Sequence, residues 1–333
     1  MKLGILDHTH LSEGRSAADA LAEAVELAKE AERLGYERFW VSEHHGSPSL
    51  ASSSPEILIA HVAAATSRIR VGAGGVMLPH YSAYKVAENF RLLEALHPNR
   101  IDLGLGRAPG GMPLATRALQ EGKLRDPHLD LYPQQVDDLI GYLHDALPAD
   151  HRFAGLRASP SIPTAPEIWL LGSSDGSARI AAEKGTAYAY AQFFGIPVGA
   201  AATRLYREGF RPSSLNAEPR VMVAVLVICA ETEEEANRLA SSHELFFLRL
   251  EQGQELPWLP SVETAEKTPY SPFELDVIRH RRQFRIIGNP AQVRERVLQI
   301  QREYLADEIM IACPIHDFAK RLHAIRLIRE ALD

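Results

Sequence analysis

The chain has 333 residues, of which 46% are hydrophobic and 24% are charged, values typical of a soluble globular protein with a large core. Its formal net charge of -7 argues against nucleic acid or an anionic membrane as the main partner. No apolar run approaches the ~20 residues that span a bilayer, and the start predicts no signal peptide. The only cysteines, Cys229 and Cys313, lie in apolar runs, so we expect buried thiols and a cytoplasmic protein.

Strand and helix patterns alternate along almost the whole chain. The strand predictions cover residues 3–6, 37–41, 69–77, 101–105, 168–171, 187–191, 221–229 and 307–313. The helix predictions cover residues 16–35, 55–65, 83–96, 133–147, 174–185 and 198–210, with further helices starting at 232, 289 and 317. About eight short, buried strands with eight main helices predict a (β/α)8 TIM barrel, with residues 1–333 as one domain. Periodicity alone leaves a doubly wound open sheet as the alternative.

The segment from Glu251 to Ile287 interrupts this alternation. Several prolines prevent a long regular element there, although residues 273–284 could form a short helix. An irregular insertion of this length is usually functional, so we consider it a candidate lid. Its basic run at residues 279–282 is predicted to be a solvated face.

Glu43-His44-His45 stands at the end of the second predicted strand, where the loops of an α/β barrel form the catalytic face. A carboxylate beside two imidazoles can supply a base, bind a metal or orient a bound ring. His8 and His10 follow the first strand and could add metal ligands. The runs that end strands five and six, at 172–174 and 192–194, offer none, so we predict no metal site.

Two elements could bind a phosphate. Arg107 follows the fourth strand and carries a planar cationic fork, within a glycine-rich run whose prolines exclude a dinucleotide fingerprint. The run from Gly172 to Ser177 passes from a strand into a helix N-terminus, where free N–H groups favour an anion. A rim salt bridge and a plain serine cap are the alternatives. Together the two elements predict a phosphorylated cofactor.

Three glycines, Gly72, Gly74 and Gly75, interrupt the third strand. Glycine weakens a strand unless the backbone bends or a ligand approaches closely. A flat ring lying against this strand would explain the missing side chains.

Along nearly its whole length the sequence resembles the luciferase-like monooxygenases, the flavin-dependent family of bacterial luciferase. Any single run is weak, but all of them in this order are specific. The runs that carry the resemblance are 35–45, 71–79, 100–107, 169–174 and 287–290.

The resemblance implies a TIM barrel that binds reduced FMN at its C-terminal face. It assigns His44 to the histidine near the reacting flavin and Arg107 to the phosphate. Gly74-Gly75 matches a strand bulge that often holds a non-prolyl cis peptide against the ring. We expect Glu43 to orient His44 or a neighbouring strand at the cofactor, and His45 to be structural. The matching phosphate loop contains Gly172, Ser173, Ser174, Gly176 and Ser177.

By the same resemblance the protein is a two-component monooxygenase that uses dioxygen and reduced FMN from a separate flavin reductase. His44 would manage a proton, because the ordinary pKa of histidine lies near working pH. Gly106 stands where true luciferases have a reactive cysteine, so light emission is not implied. A homodimer is expected, through helices near strands two and three. The candidate substrate residues are His8, Tyr81, Gln192, Phe193 and Phe194.

Two other functions remain open from the sequence. The family includes deazaflavin enzymes that transfer hydride without oxygen, and flavin-binding proteins without catalysis. His44, Arg107 and the serine loop together argue against a mere carrier, which needs no base at the flavin.

Overall fold

The strands of the computed structural model, which describes residues 1–108, 111–123, 130–196 and 199–333, form one parallel sheet. Their order is β6-β5-β4-β3-β2-β1-β9-β7-β8, and β6 also pairs with β7. That pairing closes β1 to β7 and β9 into an eight-stranded barrel, which confirms the predicted fold. The strands are β1 Lys2–Asp7, β2 Arg38–Val41, β3 Arg70–Met77, β4 Ile101–Gly106, β5 Glu167–Gly172, β6 Ala187–Ala191, β7 Val221–Cys229, β8 Arg285–Gly288 and β9 Glu308–Ala312.

The helices follow the strands along the chain and cover the outside of the barrel. All nine residues of β7 are buried, as expected for a strand that is covered on both faces. In the described ranges the helices are α1 Ala17–Arg33, α2 Pro55–Ala65, α3 Ala83–Leu96, α4 Pro113–Leu119, α5 Tyr132–Leu143, α6 Asp175–Lys184, α7 Gly199–Gly209, α8 Glu233–Glu251, α9 Val262–Lys267, α10 Pro272–Arg282, α11 Pro290–Tyr304 and α12 Phe318–Leu332.

A buried charge network closes the barrel at the amino ends of its strands. The Arg38 guanidinium donates to Asp102 at 2.5 Å and to Glu308 at 2.8 Å. The indole N–H of Trp40 also donates to Asp102, at 2.8 Å. Arg38 lies 5.0 Å from the ring centre of Trp169, a cation–π distance. Because charged side chains and indole rings fill this end of the barrel, space for a ligand remains at the opposite end, at the carboxyl ends of the strands.

The segment 251–287 is more regular than its prolines suggest. It holds α9 and α10, and the short helix predicted at 273–284 is confirmed as α10. The expectation of irregular structure throughout was wrong for β8, which pairs with Leu226–Cys229 of β7. Four residues give too short a pattern to recognise, and the pairing partner is distant in sequence.

Smaller differences occur elsewhere. The glycine- and proline-rich loop after β4 contains α4, a helix that begins at a proline. Val198, the predicted start of the sixth helix, lies outside the described residues, as do Pro109 and Gly110 of the glycine-rich run. No helix in the described part of the chain is long and apolar enough to cross a membrane.

Candidate active site

A cavity of about 590 Å³ opens at the carboxyl ends of the strands. Apolar side chains of the barrel interior, among them Leu6, Trp40 and Met310, form its floor. Its walls come from the ends of β1 to β5, from α8 and from β8. The polar and glycine residues of the walls include His8, His10, Ser42, Glu43, His44, His45, Gly74, Gly75, Arg107, Gly172, Ser173, Ser174, Ser177, His243 and Arg285.

Ser42 connects two histidines on neighbouring strands. Its hydroxyl oxygen lies 3.0 Å from Nδ1 of His8 and 3.0 Å from Nδ1 of His44. A serine hydroxyl has one proton, so it can donate to only one of these nitrogens. The other Nδ1 must carry a proton and donate to the serine oxygen. The contact therefore fixes opposite tautomers on the two imidazoles and holds both rings toward the cavity.

The histidines of this cluster are neutral at physiological pH. Burial, and after it the neighbouring imidazoles, lower the pKa of His8 and of His44 to about 3. Burial and then the cation of Arg321 lower the pKa of His10 to about 3. The expectation that His44 has a pKa near working pH was wrong, because the barrel mouth removes this ring from water. His44 can accept or donate a hydrogen bond as a neutral group.

Because Ser42 satisfies two partly buried imidazoles, we expect Ser42→Ala to lower the free energy of unfolding by about 1–3 kcal/mol. Urea unfolding measures the change. Ser53→Ala, at an exposed position eleven residues on, is the matched control and should stay within about 0.5 kcal/mol of the parent. Equal effects of the two substitutions would contradict the bridging role of the hydroxyl.

Glu43 supports the cavity wall and has no hydrogen bond to His44. Its carboxylate accepts from His45 Nε2 at 2.8 Å, from the Tyr81 hydroxyl at 2.8 Å and from the backbone N–H of Met77 at 3.0 Å. The side chain is fully buried. Of the two orienting roles expected for Glu43, the structure shows the one toward a neighbouring strand, since Met77 ends β3. His45 is held by the same carboxylate.

Gly74 and Gly75 of β3 lie in close contact with neighbouring strands. The Gly74–Gly75 peptide is cis, and the pairing of β3 with β4 shifts register between Ala73 and Val76. A Cβ on Gly74 would stand 2.8 Å from Leu6 Cδ1, and a Cβ on Gly75 would stand 2.7 Å from the Gly104 carbonyl oxygen. Side chains are therefore excluded here, and the cavity floor presents bare backbone at this point.

Gly106, at the end of β4, is also close to its neighbours. A Cβ there would lie 2.8 Å from the sulfur of Met77. The Met77 side chain thus takes the space that a larger residue at position 106 would need.

Arg107 and the serine loop come together at the N-terminus of α6. A Cβ on Gly176 would stand 3.7 Å from Arg107 Nη2 and 3.8 Å from Ser174 Oγ, so both side chains border that backbone. Arg107 is 45% exposed, and its one ion pair within the described ranges is a solvent-exposed contact of 3.3 Å with Asp130, of the kind that contributes little. Its guanidinium is available to another anion.

The N-terminus of α6 also leaves polar groups available to an anion. Ser174 occupies the N-cap position but makes no side-chain cap hydrogen bond. The Ser177 hydroxyl donates to the Ser174 carbonyl at 2.8 Å, which shapes the loop. Gly172 is required below it, because a Cβ there would lie 1.9 Å from Ser177 Oγ. An uncapped helix start beside an arginine is suited to a phosphate.

The candidate substrate residues divide into two groups. His8, Phe193 and Phe194 line the cavity. Tyr81 and Gln192 are not among the described lining residues: the Tyr81 hydroxyl is turned to Glu43, and Gln192, which directly follows β6, is buried. No group of three or more His, Cys, Asp or Glu side chains in the described ranges is placed to hold a metal ion.

Several cavity residues were missed from the sequence. His243, Phe246, Phe247 and Leu250 of α8 line one wall, and Arg285 of β8 stands beside them. The helical spacing of the first four gave a signal for one face of α8, but nothing in it distinguished a cavity wall from ordinary core.

The fold and the site together define a parallel α/β-barrel protein with a small-molecule cavity at the carboxyl ends of its strands. The chain belongs to the luciferase-like monooxygenase family, whose model matches residues 1–307. It is 52% identical to the uncharacterised protein YwcH of Bacillus subtilis, with 99% of each chain covered. It is 37% identical to the N-acetyl-S-alkylcysteine monooxygenase of the same organism, with 100% of this chain and 98% of the relative covered.

Solved structures show the same fold. The crystal structure of apo-MsnO8 is 39% identical with a TM-score of 0.90, covering 99% of this chain and 98% of that one. At 18% identity and a TM-score of 0.71, the oxygenating constituent of 3,6-diketocamphane monooxygenase was solved with FMN. At 12% identity and a TM-score of 0.70, a secondary alcohol dehydrogenase was solved with an F420–acetone adduct. These last two show the likeness of the fold alone.

Proposed function

We propose that this protein is a monooxygenase that uses reduced FMN and dioxygen to oxidise a small organic substrate. The observation that carries the proposal is the meeting of Arg107 with the uncapped N-terminus of α6 at the edge of the cavity. A phosphate bound there would receive the guanidinium fork, the Ser173 and Ser174 hydroxyls and helix N–H groups. The phosphate of FMN fits this donor set.

The isoalloxazine ring would lie against β3. The bare backbone of Gly74 and Gly75 provides a flat surface, and Trp40 below it belongs to the cavity floor. A bound ring would leave His44 and His8 at its open side. Reduced FMN, when bound, supplies the electrons that activate dioxygen.

The protein's own residues would exclude water and control one proton. The apolar floor and the phenyl rings of Phe193 and Phe246 keep the cavity dry. His44, neutral and fixed by Ser42, can hold a proton at Nε2 or accept one there, depending on the tautomer that Ser42 imposes. Because His44 is neutral, it would form a hydrogen bond at the reacting centre without placing a permanent positive charge there.

The proposal includes two partners. A separate flavin reductase supplies reduced FMN, and residues 1–333 form one domain that pairs with a second copy. The support for pairing is a set of exposed apolar side chains on α2 and α3, namely Ile57 at 71%, Leu92 at 54% and Leu96 at 59% exposure. Sedimentation equilibrium of the parent and of Leu92→Glu tests the dimer, and a parent that stays monomeric would contradict it.

The test of activity is oxygen consumption with a general flavin reductase, NADH and FMN. The substrate panel contains aldehydes, ketones, sulfonates and alkyl thioethers, the last because of the name of the 37% identical relative. We expect substrate-dependent incorporation of one atom of labelled dioxygen into product. Hydride transfer to a ketone without oxygen, using a reduced deazaflavin, would contradict the proposal.

Arg107→Gln removes the cation but keeps a shorter polar side chain. We expect the FMN dissociation constant to rise about 10- to 100-fold, since a hydrogen bond to a charged group contributes about 1.5–3 kcal/mol. Fluorescence titration measures it. Arg279→Gln, which alters an exposed arginine of α10 that pairs with Asp276, is the control and should leave the affinity unchanged. Equal affinity in all three proteins would remove the phosphate role.

A further inference from the structure

Arg285 is a cavity residue that the proposed flavin site does not use. It is the first residue of β8 and pairs in register with Leu226, another lining residue. β8 is attached to β7, whereas Arg107 follows β4. With β5 and β6 between β4 and β7 around the barrel, the two arginines stand on different walls of one cavity.

Arg285 has no carboxylate in direct contact in the described part of the chain, although the charge of Glu244 acts on it from a distance. It makes no hydrogen bond or salt bridge there, and its guanidinium lies 5.3 Å from the ring centre of Phe247. Its basic neighbours are already paired: Arg282 donates to both oxygens of Glu244, at 2.6 and 3.1 Å, and Arg281 pairs with Glu251.

The carboxylates that line the cavity do not supply the missing charge. Glu43 is bound by His45, Tyr81 and the backbone of β3. Glu255 is an exposed residue of the loop after α8 and has no salt bridge to Arg285. A cation on a largely apolar wall, without a partner, is costly unless a ligand supplies the anion.

Burial lowers the pKa of Arg285 to about 10; the negative charge of Glu244 opposes this shift, and the cations of Arg281 and Arg282 add to it. The group therefore stays protonated at neutral pH. Removal from water makes its attraction for an oxyanion stronger than that of an exposed arginine.

A second unpartnered polar atom lies on the same wall. His243 of α8 is 2% exposed, and its Nδ1 has no hydrogen-bond partner among the residues that the structure describes. Its ring packs 4.5 Å from that of Phe247, the ring that also faces Arg285. Phe246 and Leu250 continue the wall as an apolar surface. A planar cation, a neutral imidazole and an apolar strip together match an organic anion.

We propose that Arg285 binds the oxyanion of the substrate, and that the substrate class is a small organic carboxylate or sulfonate with an apolar body. The body would lie along Phe246, Phe247 and Leu250, which would direct its other end toward His44 and the β3 backbone. The catalytic consequence rests on the proposed function, but the binding of the anion does not need flavin.

The experiment uses the flavin-free protein and three probes with one apolar chain: octanoate, octanesulfonate and the neutral octanamide. Isothermal calorimetry gives the affinities. We expect one of the anions to bind at least 10-fold more tightly than the amide, and Arg285→Gln to abolish that preference. Arg285→Lys should retain part of it, since the charge remains without the planar fork. Tighter binding of octanoate or of octanesulfonate decides between the two oxyanions.

Two controls make the outcomes decisive. Arg279→Gln, six residues earlier on exposed α10, should keep the preference of the parent. Arg107→Gln should lose FMN affinity while keeping the anion preference, whereas Arg285→Gln should keep FMN affinity. Because Arg285 has no carboxylate partner, its replacement by glutamine should not lower the thermal midpoint.

The inference is overturned if neither anion is preferred by the parent, or if the preference survives in Arg285→Gln. Loss of FMN affinity in Arg285→Gln, with Arg107→Gln unchanged, would also overturn it, because Arg285 would then bind the phosphate. Failure of the flavin proposal alone would leave the calorimetric preference in place, so the two failures are distinguishable.

Discussion

His44→Ala is expected to lower turnover by about 10²–10⁴-fold, the usual contribution of a positioned acid–base group. The substrate is whichever compound supports oxygen consumption in the parent. The FMN dissociation constant should change less than about 3-fold, because the proposed phosphate contacts on α6 and at Arg107 do not involve this ring. Turnover should fall because His44 is an imidazole of the cavity wall whose orientation is fixed by the bond to Ser42.

The matched control is His323→Ala, which removes an exposed imidazole of α12 that pairs with Glu231 outside the cavity. It should retain the turnover of the parent. If His44→Ala also retains turnover, His44 has no chemical role. If turnover and FMN affinity fall together, the ring supports binding instead of proton transfer.

Stability should fall steeply between pH 7.5 and 5.5. The pKa values of His8, His10 and His44 are lowered from 6.5 to about 3 in the folded protein. Below pH 6.5 the unfolded chain binds protons that the folded chain refuses, so stability is lost as the pH falls toward 3. Between pH 7.5 and pH 5.5 each imidazole lowers the free energy of unfolding by about 1.4 kcal/mol, and the three together lower it by about 4 kcal/mol.

Urea unfolding at the two pH values measures this loss. Carboxylates act in a lower window: the pKa of Glu30 is lowered to about 2, chiefly by the hydrogen bond from Arg33, so its contribution is lost only below its ordinary range. His10→Gln should reduce the loss by about 1.4 kcal/mol. His323→Gln, at an exposed position, should leave it unchanged. A pH-independent free energy of unfolding would contradict the neutral assignment of the cluster.

The barrel was predictable because each of its strands is short, apolar and followed by a helix. Helix limits followed from local chemistry, as in α1, where Ser16 and Asp19 form a capping box and Gly35 adopts a φ of 77° after the end. These signals are carried by a few neighbouring residues. β8 has no such signal, since its pairing depends on β7, far away in sequence.

The site was predictable where a strand end fixed it and not where a tertiary contact did. His44 and Arg107 follow strands, so topology alone places them on the cavity side. The position of Tyr81 was not predictable, because its bond to Glu43 depends on the packing of the loop after β3. The tautomers and the lowered pKa values of His8 and His44, the two histidines that contact Ser42, likewise depend on the spacing of two strands.

Arg285 is a cavity residue that the sequence did not reveal. The basic run of residues 279–282 was expected to be a solvated face, and its arginines do pair with nearby carboxylates, as Arg279 with Asp276. Arg285, three residues after the end of this run, is the first residue of β8 and lines the cavity. The sequence alone does not distinguish the exposed Arg279 from Arg285, which lines the cavity.

The central claim is that the cavity binds reduced FMN, and anaerobic titration tests it most directly. Photoreduced FMN is added to the parent and to Arg107→Gln, with a reduced deazaflavin as competitor. The account predicts saturable binding of one reduced FMN per chain in the parent, weakened about 10- to 100-fold in the variant and not displaced by the deazaflavin. Absence of saturation, or displacement by equimolar deazaflavin, would contradict it.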